Sequence, residues 1–154
     1  MSSPPQVRRA TAGFTLVELM IAVAVMAILA SLAWPALQEA VQKSRRSDGM
    51  AALSTIMQAQ ERWRANNPAY QATLANLPGA QSATSRDQHY DMSIVDGSAS
   101  AVGYTARATV RSSSPQRSDS TCQVLQVAVN GGNIVYSSRS GGGANAAPDP
   151  CWVR

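Results

Sequence analysis

The sequence predicts an α+β protein: one long amino-terminal helix laid on a three- or four-stranded antiparallel sheet. Three observations carry that expectation. A nearly uncharged apolar block fills the first quarter of the 154 residues, and helix-spaced apolar residues continue beyond it as far as residue 65. From residue 89 onward the pattern changes to short alternating runs separated by Asp-Gly and Asn-Gly pairs. Two cysteines follow late in the chain. An amphipathic helix set on an antiparallel sheet buries one face of each. The length favours one folded head, since a domain takes about 100–200 residues.

Residues 1–13, MSSPPQVRRATAG, are polar, with two Arg, no acid and two adjacent prolines. Two adjacent prolines cannot lie inside a helix, so this segment reads as a leader. Phe14 to Leu37 spans 24 residues with Glu18 as its only charge. At 1.5 Å per residue it is about 36 Å long, enough to cross a hydrocarbon core of about 30 Å. An ionised carboxylate in that setting costs about 2.5–3.5 kcal/mol or more unless it is paired. Glu18 therefore needs a partner or a headgroup-level position, where it would cap its own helix through the dipole. Pro35 cannot donate to the Ser31 carbonyl, and a kink or melted turn is expected there.

Several fates are open to the block. Secretory cleavage after Ser31-Leu32-Ala33 would release a chain starting at Trp34, but signal peptides place basic residues, not Glu18, before the apolar run. The residues flanking Arg8-Arg9 do not match a twin-arginine signal. An uncleaved anchor has no orientation set by charge, because Arg8 and Arg9 precede the block while Lys43, Arg45 and Arg46 follow it.

Beyond Pro35, the spacing of Leu53, Ile56, Met57, Gln60 and Trp63 puts them on one helix face. One long, interrupted helix is expected, with Gly49 marking a bend or a close contact. It should stop near Ala65-Asn66-Asn67-Pro68. Residues 69–88 read as a connecting loop. Strands are expected at His89–Val95, Val102–Val110, Cys122–Val129 and Asn133–Ser138. Asp96-Gly97 and Asn130-Gly131-Gly132 supply hairpin turns. Cys122 and Cys151 have only each other as intramolecular partners, so a disulfide is expected across the 28 intervening residues.

The residue inventory narrows the chemistry. One His and two Cys exclude the multi-ligand zinc patterns, no calcium loop of the DxDxDG kind occurs, and neither metal nor cofactor is expected. His89 can be drawn into a trio with Asp87 and Asp91, but a single His at a strand start among polar residues is expected to face solvent. No catalytic residue is assigned, and no CxxC suggests thiol chemistry. Without Arg8 and Arg9 the chain carries 11 basic against 9 acidic groups, too small a balance to argue nucleic-acid binding.

The junction Gly13-Phe14-Thr15-Leu16-Val17-Glu18, and the longer run GFTLVELMIAVAVMAILA, resemble the type IV pilin family. That resemblance is strong over residues 8–40 and architectural beyond. It implies a leader, residues 1–13, cut between Gly13 and Phe14 by a prepilin peptidase that also N-methylates Phe14. Residues 14–37 would form the membrane and filament-core helix and residues 38–154 a periplasmic or extracellular head. Pro35 sits where many pilins carry a kinking proline. Glu18 would take an assembly role, its carboxylate meeting the new Phe14 amine of a neighbouring subunit. Cys122 and Cys151 match the disulfide-bounded loop, often exposed and variable, of many pilins.

The implied partners are other pilin subunits, the prepilin peptidase, the inner-membrane pilus assembly machinery and the membrane itself. The chain would be a single-pass inner-membrane protein with its head in the periplasm, then part of a filament at the cell surface. Its implied function is that of a structural subunit, major or minor, of a type IV pilus serving adhesion, twitching motility or DNA uptake. Arg107, Arg111, Arg117 and Arg139 would form a DNA-binding patch in the last case and a solvated strand face otherwise. The alternatives are a pseudopilin of a type II secretion system, which often lacks the disulfide, and a signal-anchored periplasmic binding module that keeps its leader.

Overall fold

The computed structural model describes residues 14–79, 82–141, 143–145 and 149–152. The chain divides into two units, one ending at Gln38 and one beginning at Glu39. Residues 1–13, including the Gly13 side of the expected cut, lie outside the described residues.

Helix α1 runs Leu16–Arg64, 49 residues. It is continuous where an interruption was expected. No turn melts at Pro35, because its ring removes one hydrogen bond while good helix formers flank it on both sides. In the first unit the apolar side chains of α1 are exposed, with Leu32 and Leu16 each 74% accessible. This part is long and apolar enough to cross a membrane. At the far end, Asn67 stops the helix by donating its side-chain amide to the Trp63 carbonyl (2.8 Å), and the Asn66 N–H bonds the same oxygen.

In the second unit α1 buries Gly49, Leu53, Ile56, Ala59 and Gln60, with Met57 and Trp63 partly buried beside them. These side chains meet a five-stranded antiparallel sheet in the order β1-β2-β3-β4-β5. The strands are β1 Tyr90–Ile94, β2 Gly103–Val110, β3 Val124–Asn130, β4 Asn133–Ser140 and β5 Gly143–Ala144. The sheet thus has five strands rather than the three or four expected, because β4 runs on to Ser140 and turns back through the glycine-rich stretch. Arg139 pairs with Ala144 there. Register places Tyr90, Met92 and Ile94, then Tyr104, Ala106 and Ala108, then Leu125, Val127 and Val129 on the inner face. Each large aliphatic side chain so buried contributes about 1.5–3 kcal/mol.

Three local arrangements set this packing. Gly49 faces the ring of Tyr90, and a Cβ there would lie 2.9 Å from the ring, so the expected close contact is real and the bend is not needed. Gln60 is fully buried on the apolar face because both ends of its amide are satisfied by the backbone of Gln71, at 2.7 and 2.9 Å. Gly131 and Gly132 both take positive φ, as a two-residue hairpin between paired Asn130 and Asn133 requires.

Candidate functional site

Three regions carry the residues singled out by sequence. At the start of α1, Thr15 acts as N-cap, its hydroxyl accepting the Glu18 N–H at 3.2 Å. Phe14 is 81% exposed and Glu18 is exposed. Helix capping is therefore performed by Thr15, and the Glu18 carboxylate has no partner among the described residues.

The second region is the outer face of the sheet. Arg107 on β2 aligns with Gln126 and Ser137, and its guanidinium lies 3.5 Å from the Gln126 amide oxygen. Arg139 on β4 aligns with Val124, Thr109 and Asp91 in the next row. Arg111 reaches back to Asp91 on the same face (3.0 Å), which offsets its charge. Arg117 is not on the sheet: it sits on a 3-10 turn, Pro115–Ser118, and donates to the Ser112 carbonyl. Of the four arginines, the fold brings Arg107, Arg111 and Arg139 to one face and sends Arg117 elsewhere. His89 meets neither Asp87 nor Asp91 but the Ser114 hydroxyl (3.0 Å).

The third region is the cystine-closed segment. Cys122 and Cys151 form the expected disulfide, both fully buried. Sequence reasoning missed what surrounds it. The side-chain amide of Asn145 donates to the Thr121 carbonyl (2.8 Å) and the Ser138 hydroxyl (2.6 Å). Ser138 in turn donates to Asp149 (2.7 Å), whose same oxygen accepts the Cys151 N–H (2.9 Å). Trp152 packs on Tyr136 with ring centroids 4.8 Å apart and donates to the Ser137 carbonyl. On the other side of Cys122, Asp119 is 2% exposed and binds the Arg46 guanidinium at 2.6 Å, the Gln116 amide at 2.8 Å and the backbone N–H groups of Thr121 and Cys122. This knot fastens the β2–β3 connector, and with it the disulfide, to α1. No periodicity announces it, because Arg46 and Asp119 are 73 residues apart in sequence.

Buried phenols complete the electrostatics of the core. Burial pushes the Tyr90 and Tyr104 hydroxyls well above their ordinary value near 10, and the Asp119 carboxylate adds to the effect at Tyr90. Tyr70 is raised by burial and by neighbouring Glu61, which its hydroxyl contacts at 3.2 Å.

An apolar amino-terminal helix that continues into an amphipathic half packed on an antiparallel sheet, with a disulfide closing the carboxy-terminal segment, is the build of a type IV pilin. Residues 8–34 match the prokaryotic N-terminal methylation motif. The chain belongs to the family described as type IV minor pilin ComP, DNA uptake sequence receptor, whose model matches residues 35–126. The match ends within β3, before β4, β5 and Cys151. A search of curated proteins finds no match.

Proposed function

We propose that this chain is a minor subunit of a type IV pilus whose head receives DNA. The carrying observation is the family match over residues 35–126, a stretch that holds Arg107, Arg111 and Arg117. The solvent face of the sheet supports it. Arg107 stands there beside Gln126 and Ser137, and Arg139 beside Val124 and Thr109 in a row whose one carboxylate, Asp91, pairs with Arg111; neither Arg107 nor Arg139 has a paired carboxylate among the described residues. Cations of this kind bind phosphates, and neighbouring amide and hydroxyl groups add contacts that position a duplex.

In this reading a prepilin peptidase removes residues 1–13 and methylates the amine of Phe14. The chain spans the inner membrane once, with its head in the periplasm, until the assembly machinery moves it into a filament of other pilins. The new amine and Glu18 lie about one helical turn apart. Because Thr15 already caps the helix, Glu18 is available to the Phe14 amine of a neighbouring subunit, and pairing removes the cost of a lone carboxylate in an apolar core. Pro35 lies within the same anchor helix, and a bend there would suit bundling. The chain serves by assembly and binding rather than by catalysis. A pseudopilin would share residues 8–34, but the family match extends well beyond that motif.

Filter retention of duplex DNA by the full chain in detergent, measured across a salt series, tests the DNA role. Each phosphate contact contributes about 0.9 to the slope of log affinity against log salt. Arg107→Ala with Arg139→Ala should weaken binding and lower the slope by about 2. Absence of retention by the wild-type chain at low salt refutes the role.

A further inference from the structure

The two edges of the sheet are finished differently. On the β1 side the connector lies alongside: the Met92 N–H donates to the Ala83 carbonyl (2.7 Å) and the Ser85 N–H to the Tyr90 carbonyl (2.9 Å). On the β4 side, β5 pairs only with Arg139 and Ser140, and the last bond there runs from the Asn145 N–H to the Ser138 carbonyl (2.9 Å). In an antiparallel ladder the backbone groups of every second residue point the same way. Tyr136 and Ile134 therefore turn their N–H and C=O groups as Ser138 does, away from β3, and these groups meet no backbone partner among the described residues.

Proteins blunt such an edge with charge, proline or a bulge, and this one carries none of them. Residues 133–138 are uncharged and free of proline, and their register with β3 is unbroken. The buried side chains of the sheet come from β1, β2 and β3, whereas β4 adds only Ser138. Ile134 and Tyr136 thus stand on the inner face where α1 no longer covers it, 47% and 48% exposed. Trp152 packs on Tyr136 and is held there by its bond to the Ser137 carbonyl. An edge of this kind is complementary to extended backbone: the N–H and C=O groups of Ile134 and Tyr136 form a row about 7 Å long beside an apolar shelf.

We propose that residues 134–136 receive an extended segment of another protein, added antiparallel to β4, uncharged along the edge, with alternate apolar side chains on Ile134, Tyr136 and Trp152. Antiparallel pairing meets every open group with about three residues, whereas parallel pairing needs about five. A charged residue is disfavoured because nothing in residues 133–138 would pair it. A second copy fits poorly. Joining β4 to β4 antiparallel relates the copies by a two-fold axis normal to the sheet, so the helices packed on the two sheets run in opposite directions. Subunits of one membrane or one filament point the same way. Joining them parallel turns one sheet over and sets Ile134 and Tyr136 beside the polar outer face. Neither the family description nor the methylation motif assigns this edge, and the proposal does not depend on DNA binding.

Amide hydrogen exchange of the full chain in detergent micelles, read by NMR, tests the assignment. In the free chain the amides of Val135 and Ser137, which face β3, should exchange slowly and those of Ile134 and Tyr136 fast. The probe is acetyl-Thr-Val-Thr-Ile-Thr-amide, whose Val and Ile would lie on the shelf. It should slow exchange at Ile134 and Tyr136 about tenfold at about ten times its Kd. The same peptide N-methylated at Val and Ile, which removes both of its donors to the edge, should bind about tenfold or more weakly. Ile134→Pro removes an edge donor but no bond to β3, so it should weaken the peptide by a similar factor while Val135 and Ser137 stay protected. Lack of saturation, or equal binding of the N-methylated peptide, overturns the proposal. So does slow exchange of Ile134 and Tyr136 in the free chain: protection that rises with concentration gives the edge to a second copy, and protection that does not gives it to a segment of this chain.

Discussion

Removing the Asp119 carboxylate should be among the most damaging single changes outside the apolar core. Asp119→Ala deletes the acceptor of four hydrogen bonds: those from Arg46, Gln116, Thr121 and Cys122. It leaves the Arg46 side chain, 12% exposed, without its counterion, and orphans two backbone N–H groups. Breaking a buried ion pair from one side costs about 3–5 kcal/mol. Arg46→Met should cost less, about 1.5–3 kcal/mol, because Asp119 then keeps the Gln116 amide and both backbone donors. The double variant should be more stable than the sum of the single effects by about 1 kcal/mol or more, since neither charge remains to be stranded. Urea unfolding of the full chain in detergent, followed by Trp63 and Trp152 fluorescence, measures all three. If D119A lies within about 1 kcal/mol of wild type, or if the two changes are strictly additive, Asp119 is not the fastening point described.

Other consequences are as direct. Replacing Cys122 and Cys151 together by Ser should cost about 3.6 kcal/mol, from loop-closure entropy over a separation of 29 residues, read as a lower urea midpoint. Gly49→Ala should destabilise by up to about 2 kcal/mol although Ala is the better helix former. The 2.9 Å approach to a fully buried Tyr90 ring costs about 1–3 kcal/mol and the propensity gain returns about 1. Tyr90 and Tyr104 hold their protons more tightly folded than unfolded, so their contribution is complete below pH 10 and declines as pH rises beyond it. The slope is about 1.4 kcal/mol per pH unit for each, and tyrosinate absorbance should rise together with unfolding rather than before it.

Much of this architecture was legible because periodicity reports burial. The spacing of Leu53, Ile56 and Gln60 gave the buried helix face, and alternation through Tyr104, Ala106 and Ala108 gave the inner face of β2. Asn66-Asn67-Pro68 marked the helix end within a residue or two. What was misread or missed depends on tertiary partners. Gly49 offered a bend or a close contact, and only the Tyr90 ring decides for the contact. Ala59 is too small to stand out, yet it is fully buried. The two-residue strand Gly143–Ala144 has no pattern of its own and exists because β4 lies beside it. The Asp119 knot and the Asn145 hub are polar contacts between distant segments, invisible to any local rule. Among the four arginines proposed for DNA, register puts Arg107 and Arg139 on the outer face of the sheet, while Arg117 leaves it because the β2–β3 connector folds into a 3-10 turn that no strand pattern announces.

The central claim, a pilin that enters a filament through the Phe14 amine and Glu18, is tested most directly by the intact mass and amino-terminal residue of the protein recovered from membranes, with and without the prepilin peptidase. The account predicts a chain beginning at N-methylated Phe14 only when the peptidase is present, lighter than its reduced form by the hydrogens of the Cys122 and Cys151 thiols. A chain beginning at Met1 or at Trp34 in cells that hold the peptidase removes the Phe14 amine, and contradicts the assembly mechanism built on it.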